Sequence, residues 1–298
     1  MRILLQFPEG LKQKATEYIE EYRKQGHEVF ISGAACYGAC DLALEEARAI
    51  HADKIVHFGH APFIKNKLPV EVEYIEYHID ADLDKMKEAA GKINEKKIAL
   101  GTTVQHIHQL EVMKEIFESA GKTILTGKGF LAHHEGQILG CDHIAVTQFA
   151  DADAIVIIGD GLFHAIGADS EKPVYVVHPQ SGDVRDISDE ITKLKKRRRG
   201  AIAKAIESEK FAVLLSTKPG QSRPEVADKM KKELESIGKK AVIITANEFS
   251  PSALANLTEF DCYVNTACPR IADDTEVFEK PILNPDMVVE MVEMIRAK

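Results

Sequence analysis

Five cysteines are the residues of greatest chemical potential in this chain of 298. Two stand in Gly33-Ala34-Ala35-Cys36-Tyr37-Gly38-Ala39-Cys40-Asp41, between a strand-like and a helix-like run. The others are Cys141 in Ile138-Leu139-Gly140-Cys141-Asp142, and Cys262 and Cys268 in Cys262-Tyr263-Val264-Asn265-Thr266-Ala267-Cys268-Pro269-Arg270. No CxxC pair occurs, and an odd number of widely spaced cysteines does not make a secreted disulfide framework. No charged-then-apolar leader is read before the first strand, so a reducing, cytoplasmic setting is expected, in which cysteines are structural, catalytic or metal-binding rather than bridged. Soft thiolates favour iron-sulfur clusters, zinc or copper(I). Cys40, Cys141 and Cys268 lie in glycine- or proline-containing segments suited to irregular backbone. Converging, they could hold three corners of a cluster that usually has cysteine at all four, leaving one iron open to a substrate. The pattern alone does not choose between Cys36 and Cys40, and Cys36 could be an alternative ligand or the fourth thiolate of a zinc site. Buried inert thiols are the plain alternative for all five. Cys262, about six residues and so roughly 20 Å from Cys268 if extended, reads as core.

The elements that must position these thiols come in three similar series. The first opens with Ile3-Leu4-Leu5, a loop Gln6 to Gly10, a helix Leu11 to Gln25 closed by Gly26, and a strand Glu28 to Ser32. The cysteine loop follows, then a helix Leu42 to Ile50 with Asp41 near its cap and a strand Lys54 to Phe58. The second runs from strand Lys97 to Leu100 through a helix to about Ala120, Gly121, strand Thr123 to Thr126, a glycine- and histidine-containing insertion to Cys141, and strand Ala154 to Ile158. The third has strand Phe211 to Leu215, the turn Ser216 to Gln221, helix Pro224 to Ile237, Gly238, strand Ala241 to Thr245, helix Pro251 to Leu257 and strand Cys262 to Asn265. The strand ends align as Ile55-Val56-His57-Phe58-Gly59-His60, Ile155-Val156-Ile157-Ile158-Gly159-Asp160 and Tyr263-Val264-Asn265-Thr266-Ala267-Cys268.

A period of about 100 residues signals domain triplication rather than a solenoid. Short β-branched strands alternating with amphipathic helices predict parallel sheets with helices on their faces. The expected fold is therefore α/β, with three homologous small domains of parallel sheet arranged around a central cluster site: 1–95 with Cys40, 96–185 with Cys141, and 186–298 with a connector helix and Cys268. Ligands in such sheets bind beyond the carboxyl ends of the strands.

Composition narrows the function classes. The 45% hydrophobic and 29% charged fractions are those of a globular protein, and no apolar run approaches the roughly 20 residues of a membrane span. A net charge of −9 disfavours general nucleic-acid binding. The basic run Lys193 to Arg199 sits in a helix-like stretch, Ile187 to Ser208, and reads as a solvated connector face. Twelve histidines include His106, His108, His133, His134 and His143, but there is no HExxH. Phe7-Pro8-Glu9-Gly10 is not a P-loop and no GxGxxG opens the first helix.

Tyr37-Gly38-Ala39-Cys40-Asp41, Leu139-Gly140-Cys141 and Ala267-Cys268-Pro269-Arg270, in this order across three repeats, resemble the archaeal diphthamide-synthesis enzymes of the diphthamide synthase subunit 1/2 family. The resemblance spans essentially the whole chain. It implies a [4Fe-4S] transferase that uses S-adenosylmethionine without the contiguous CxxxCxxC of ordinary radical enzymes of that cofactor; here Leu42-Ala43 follows Cys36-x-x-x-Cys40. It further implies radical transfer of a 3-amino-3-carboxypropyl group to a histidine carbon of translation elongation factor 2, with methylthioadenosine released. By motif matching, the cluster ligands would be Cys40, Cys141 and Cys268, and Cys36 would not be one. Arg270 would pair bidentately with the methionine carboxylate. The strand-end loops bearing Thr103, Gln105, Lys218 and Gln221 would bind the rest of the cofactor. A homodimer and an electron donor are expected by the same resemblance, with no direct nucleic-acid binding. Two alternatives stand beside it: a quinolinate synthase-like [4Fe-4S] Lewis-acid enzyme, and a non-enzymatic α/β binding protein.

Overall fold

The computed structural model describes residues 1–273 and 278–297. Its chain forms two compact units, Met1–Ile191 and Thr192–Lys298. The first unit carries two sheets. One is built from β1 (Arg2–Gln6), β2 (Glu28–Ile31), β3 (Lys54–Phe58) and β4 (Glu71–Ile75), in the order β2-β1-β3-β4. The other has β5 (Lys97–Thr102), β6 (Thr123–Leu125), β7 (Ala154–Ile158), β8 (Val174–Val177) and β9 (Val184–Asp186), in the order β6-β5-β7-β8-β9. The second unit has β10 (Lys210–Ser216), β11 (Lys240–Ala246), β12 (Cys262–Asn265) and β13 (Ile282–Leu283), again ordered β11-β10-β12-β13.

The shared order has a shared cause. An aspartate opens the third strand of each sheet and exchanges hydrogen bonds with the residue opening the first. The amides of Arg2, Lys97 and Lys210 donate to Asp53, Asp153 and Asp261 at 2.7, 2.8 and 2.9 Å. The three aspartate amides donate back to the carbonyls of the same residues. These pairs set the register of the central strands. Gly26, Gly121 and Gly238 close the first helix of each repeat at φ of 83°, 80° and 82°, the left-handed conformation that a helix end requires. Each sheet packs a separate hydrophobic cluster on each face, around Phe58 and Ile55, Leu100 and Ile157, and Val264 and Tyr263. Such two-sided burial explains why the central strands are unbroken apolar runs.

Several expectations need correction. Every sheet has a fourth parallel strand, β4, β8 or β13, beyond the three read from the sequence, and β9 is antiparallel to β8. The first helix starts as a 3-10 turn, Glu9–Lys14, and becomes α-helical only over Ala15–Lys24. The helix after the first cysteine loop begins at Leu44 rather than Leu42, behind the cap residue Ala43, which lies two residues beyond Asp41. The basic run does lie on a long helix, Ser188–Ile206, where Arg198 donates from Nε and Nη2 to Asp273. Among the described residues, no helix is long and apolar enough to cross a membrane.

The clamps are testable through pH. The amides of Lys210 and Glu209 hold the Asp261 carboxyl below its usual range. An aspartate so lowered contributes its full stabilisation above the ordinary value near about 4 and loses it as pH falls through the native one. Asp261→Ala is expected to cost about 1 kcal/mol at pH 7, the low end for an exposed charge-assisted pair. The gap between wild-type and variant urea midpoints should narrow at pH 3.

Candidate functional site

All three candidate cluster cysteines lie in irregular segments beyond strand ends. Cys40 follows β2, Cys141 follows β6 and Cys268 follows β12, and all three are partly buried. Irregular backbone leaves amides and carbonyls outside any ladder, and in each segment buried polar side chains take up some of them.

Around Cys40, the buried Gln6 at the end of β1 does the holding. Its Nε2 donates to the Asp41 carbonyl at 2.6 Å and its Oε1 accepts from the Ala43 amide at 3.1 Å. The Asp41 carboxylate accepts from the Tyr37 amide at 3.5 Å. Around Cys141 the neighbouring Asp142, also buried, plays a corresponding part: its oxygens accept from the Leu131 amide at 2.6 Å and the Ile144 amide at 3.1 Å. The preceding segment docks on β5, where Thr102 and Gln137 form a parallel bridge. Gly101 permits this approach, since a Cβ there would stand 2.8 Å from both Ile138 and Val146.

In the second unit, Asn265 at the end of β12 donates from Nδ2 to the Cys268 carbonyl at 2.8 Å and accepts from the Ala267 amide at 3.1 Å. Its Nδ2 also donates to Asn284, whose own Nδ2 donates to the Pro269 carbonyl at 3.0 Å. Both asparagines are buried. Burial pushes the Cys268 thiol up, offset in part by the Arg270 amide and by the positive charges of Arg270 and Arg223. Cys262 is fully buried in the core against β10, and burial pushes its thiol up strongly, which makes it inert.

The remaining candidates lie at strand ends. Thr103 is buried and precedes the 3-10 turn Val104–Gln109; Gln105 donates to the Gly59 carbonyl at 3.0 Å. Lys218 and Gln221 are buried in the turn after β10, where the Gln221 amide donates to the Lys218 carbonyl. Arg270 donates from Nη1 to Asp273 at 2.7 Å, so the carboxylate that also holds Arg198 orients its guanidinium. A cleft of about 230 Å³ lies between residues 62–65 and 128–133 and is lined by none of the cysteines.

Two groupings were not read from the sequence. Cys36, His57 and His60 each offer a ligand atom within 4.8 Å of the others. Glu76, His133 and His134 do the same, with His134 Nε2 at 2.6 Å from Glu76. The signal for the first was visible in His57 and His60 at one strand end, but their closeness to Cys36 was not. Asp142 had a signal too, because both Cys40 and Cys141 are followed directly by aspartate.

Residues 7–294 match the family model described as "Putative diphthamide synthesis protein". The chain is 36% identical to the 2-(3-amino-3-carboxypropyl)histidine synthase of Pyrococcus horikoshii, over 96% of this chain and 84% of that protein. It is 32% identical to the protein of the same name from Methanocaldococcus jannaschii, over 96% and 82%. The crystal structure of Dph2 from Pyrococcus horikoshii with a 4Fe-4S cluster superimposes with a TM-score of 0.89 at 34% identity, covering 98% of this chain and 86% of that one. With the family model covering nearly its whole length, this chain belongs to the diphthamide synthesis family.

Proposed function

We propose that this chain is a 2-(3-amino-3-carboxypropyl)histidine synthase, the transferase of the first step of diphthamide biosynthesis. The observation that carries this reading is the near full-length likeness to synthases of that name, which takes in all three cysteine segments. The quinolinate synthase-like and non-enzymatic alternatives have no comparable support.

Cys40, Cys141 and Cys268 would hold the [4Fe-4S] cluster, one from each of the repeats 1–95, 96–185 and 186–298. The residues present suit it: three soft donors on irregular backbone, each segment fixed by buried polar side chains, and one cluster corner left without a cysteine. When bound, the cluster would supply an electron and an open iron for reductive cleavage of S-adenosylmethionine into the 3-amino-3-carboxypropyl group and methylthioadenosine.

This chain's own residues orient the reactants. Arg270, held by Asp273, would bind the methionine carboxylate as a bidentate partner. The strand-end loops bearing Thr103, Gln105, Lys218 and Gln221 would supply hydrogen bonds to the polar groups of the cofactor. The acceptor would be a histidine of translation elongation factor 2, the electron would come from a separate donor, and the working form would be a homodimer.

Anaerobically reconstituted protein should be brown, with iron and sulfide near four per chain, and should release methylthioadenosine from S-adenosylmethionine on reduction. Alanine at Cys40, Cys141 or Cys268 should remove the cluster, while alanine at Cys36 or Cys262 should leave its low-temperature paramagnetic resonance signal intact. A colourless reconstituted wild type would sink the reading.

Asp142 supplies a separate test. Asp142→Ala strands two backbone amides, a local cost of about 2–3 kcal/mol. Reduced cluster content in a folded protein is expected, with Asp142→Asn intermediate because it keeps one acceptor oxygen. Iron content set against circular dichroism decides it.

A further inference from the structure

Cys36 lies four residues from Cys40 and close to two histidines at the end of β3. β3 ends at Phe58, and Gly59 then turns the chain at φ of 82°. A Cβ at Gly59 would stand 3.0 Å from Pro8 and 3.2 Å from Leu11. The turn is fixed at both ends of its peptide: the Gly59 amide donates to the Ile75 carbonyl and the Gly59 carbonyl accepts from Gln105. It brings His60 Nδ1 back to 2.9 Å from His57 Nε2. One atom from each of Cys36, His57 and His60 then lies within 4.8 Å of the other two. His57 is fully buried and Cys36 nearly so, at 4% exposure.

The tautomer of His57 follows from its partners. Gln6 Nε2 is committed to the Asp41 carbonyl and Gln6 Oε1 accepts from the Ala43 amide, so the oxygen faces His57 Nδ1 at 2.9 Å. His57 Nδ1 must therefore carry the proton, and Nε2 presents a bare lone pair toward His60 and Cys36. A carbonyl that fixes the tautomer in this way is the usual outer support of a metal-bound histidine. The buried Tyr74 hydroxyl has no protein hydrogen-bond partner, and its ring lies 5.5 Å from His57.

We propose that Cys36, His57 and His60 form a second metal site, separate from the cluster, that takes one zinc-like divalent ion through one thiolate and two imidazoles. This donor set suits a borderline-soft ion of tetrahedral habit, with a water in the fourth position. Two nitrogens each about 2.0 Å from such an ion stand about 3.3 Å apart, so the 2.9 Å pair must open by only about 0.4 Å. On binding, the Cys36 thiol proton leaves to solvent and the proton shared between the two histidines moves to His60 Nε2, freeing Nδ1. The ion would tie the segment before Cys40 to the end of β3. In the repeat alignment, His60 stands where the third repeat has Cys268, so one scaffold position carries a metal-type side chain in both.

The test uses the full chain with Cys40→Ala, Cys141→Ala and Cys268→Ala, freed of metal and titrated with zinc chloride alone. This background keeps zinc from occupying the cluster thiols. One equivalent of zinc is expected, with an X-ray absorption spectrum showing one sulfur at about 2.3 Å and two imidazole nitrogens at about 2.0 Å. Adding Cys36→Ser or His60→Gln should weaken binding at least tenfold, while His134→Gln should leave it unchanged. If the triple variant fails to fold, as read by circular dichroism, wild type with a reconstituted cluster should bind one zinc beyond its iron and its Cys36→Ser variant none. Absence of stoichiometric zinc in folded protein, a shell without sulfur, or unchanged affinity in Cys36→Ser would overturn the proposal. Cluster content, measured separately on wild type, is independent of all these outcomes.

Discussion

The structure depends on keeping irregular backbone dry and satisfied at the carboxyl ends of the strands. Cys40, Cys141 and Cys268 all sit in irregular segments beyond strand ends. Leaving regular structure strands amides and carbonyls, each costly if buried unpaired. Gln6, Asp142, Asn265 and Asn284 meet that need with short, buried, multiply bonded side chains. These neighbours fix the backbone of the segments that carry the thiols.

The three repeats solve the same problem with different residues. Counted from the clamping pairs Arg2–Asp53, Lys97–Asp153 and Lys210–Asp261, the fifth residue of the first strand is Gln6, Gly101 or Leu214. Gln6 supports the cysteine loop with its amide, whereas Gly101 lets an extra segment dock by having no side chain. On the third strand, the equivalent position is His57, Ile157 or Asn265: a candidate ligand, a core residue and a loop anchor. Since the clamp and sheet order set the scaffold, these positions could change chemistry without changing the fold.

The family was legible locally. The three cysteine segments, the strand-end alignment and the resemblance they carry name the family from short stretches of sequence, and the family comparison agrees. The assignments of Thr103, Gln105, Lys218, Gln221 and Arg270 rest on that resemblance, and the structure adds their immediate partners: the Gly59 carbonyl for Gln105 and Asp273 for Arg270.

The sequence by itself determined the α/β class, the triplication, the central strands and the helix stops, because apolar runs and helix-closing glycines act through near neighbours. It did not reveal β4 or β13. β4, Glu71-Val-Glu-Tyr-Ile75, is an edge strand with charged residues, and β13 has only two residues, so its identity as a strand comes from pairing with Tyr263 and Val264. Nor did it reveal that Gln6 anchors Asp41, 35 residues on, or that Cys36 meets His57 and His60. Those juxtapositions exist only once β1 pairs with β3, since hydrogen bonding between strands, unlike hydrophobic periodicity, joins residues whose separation along the chain carries no pattern.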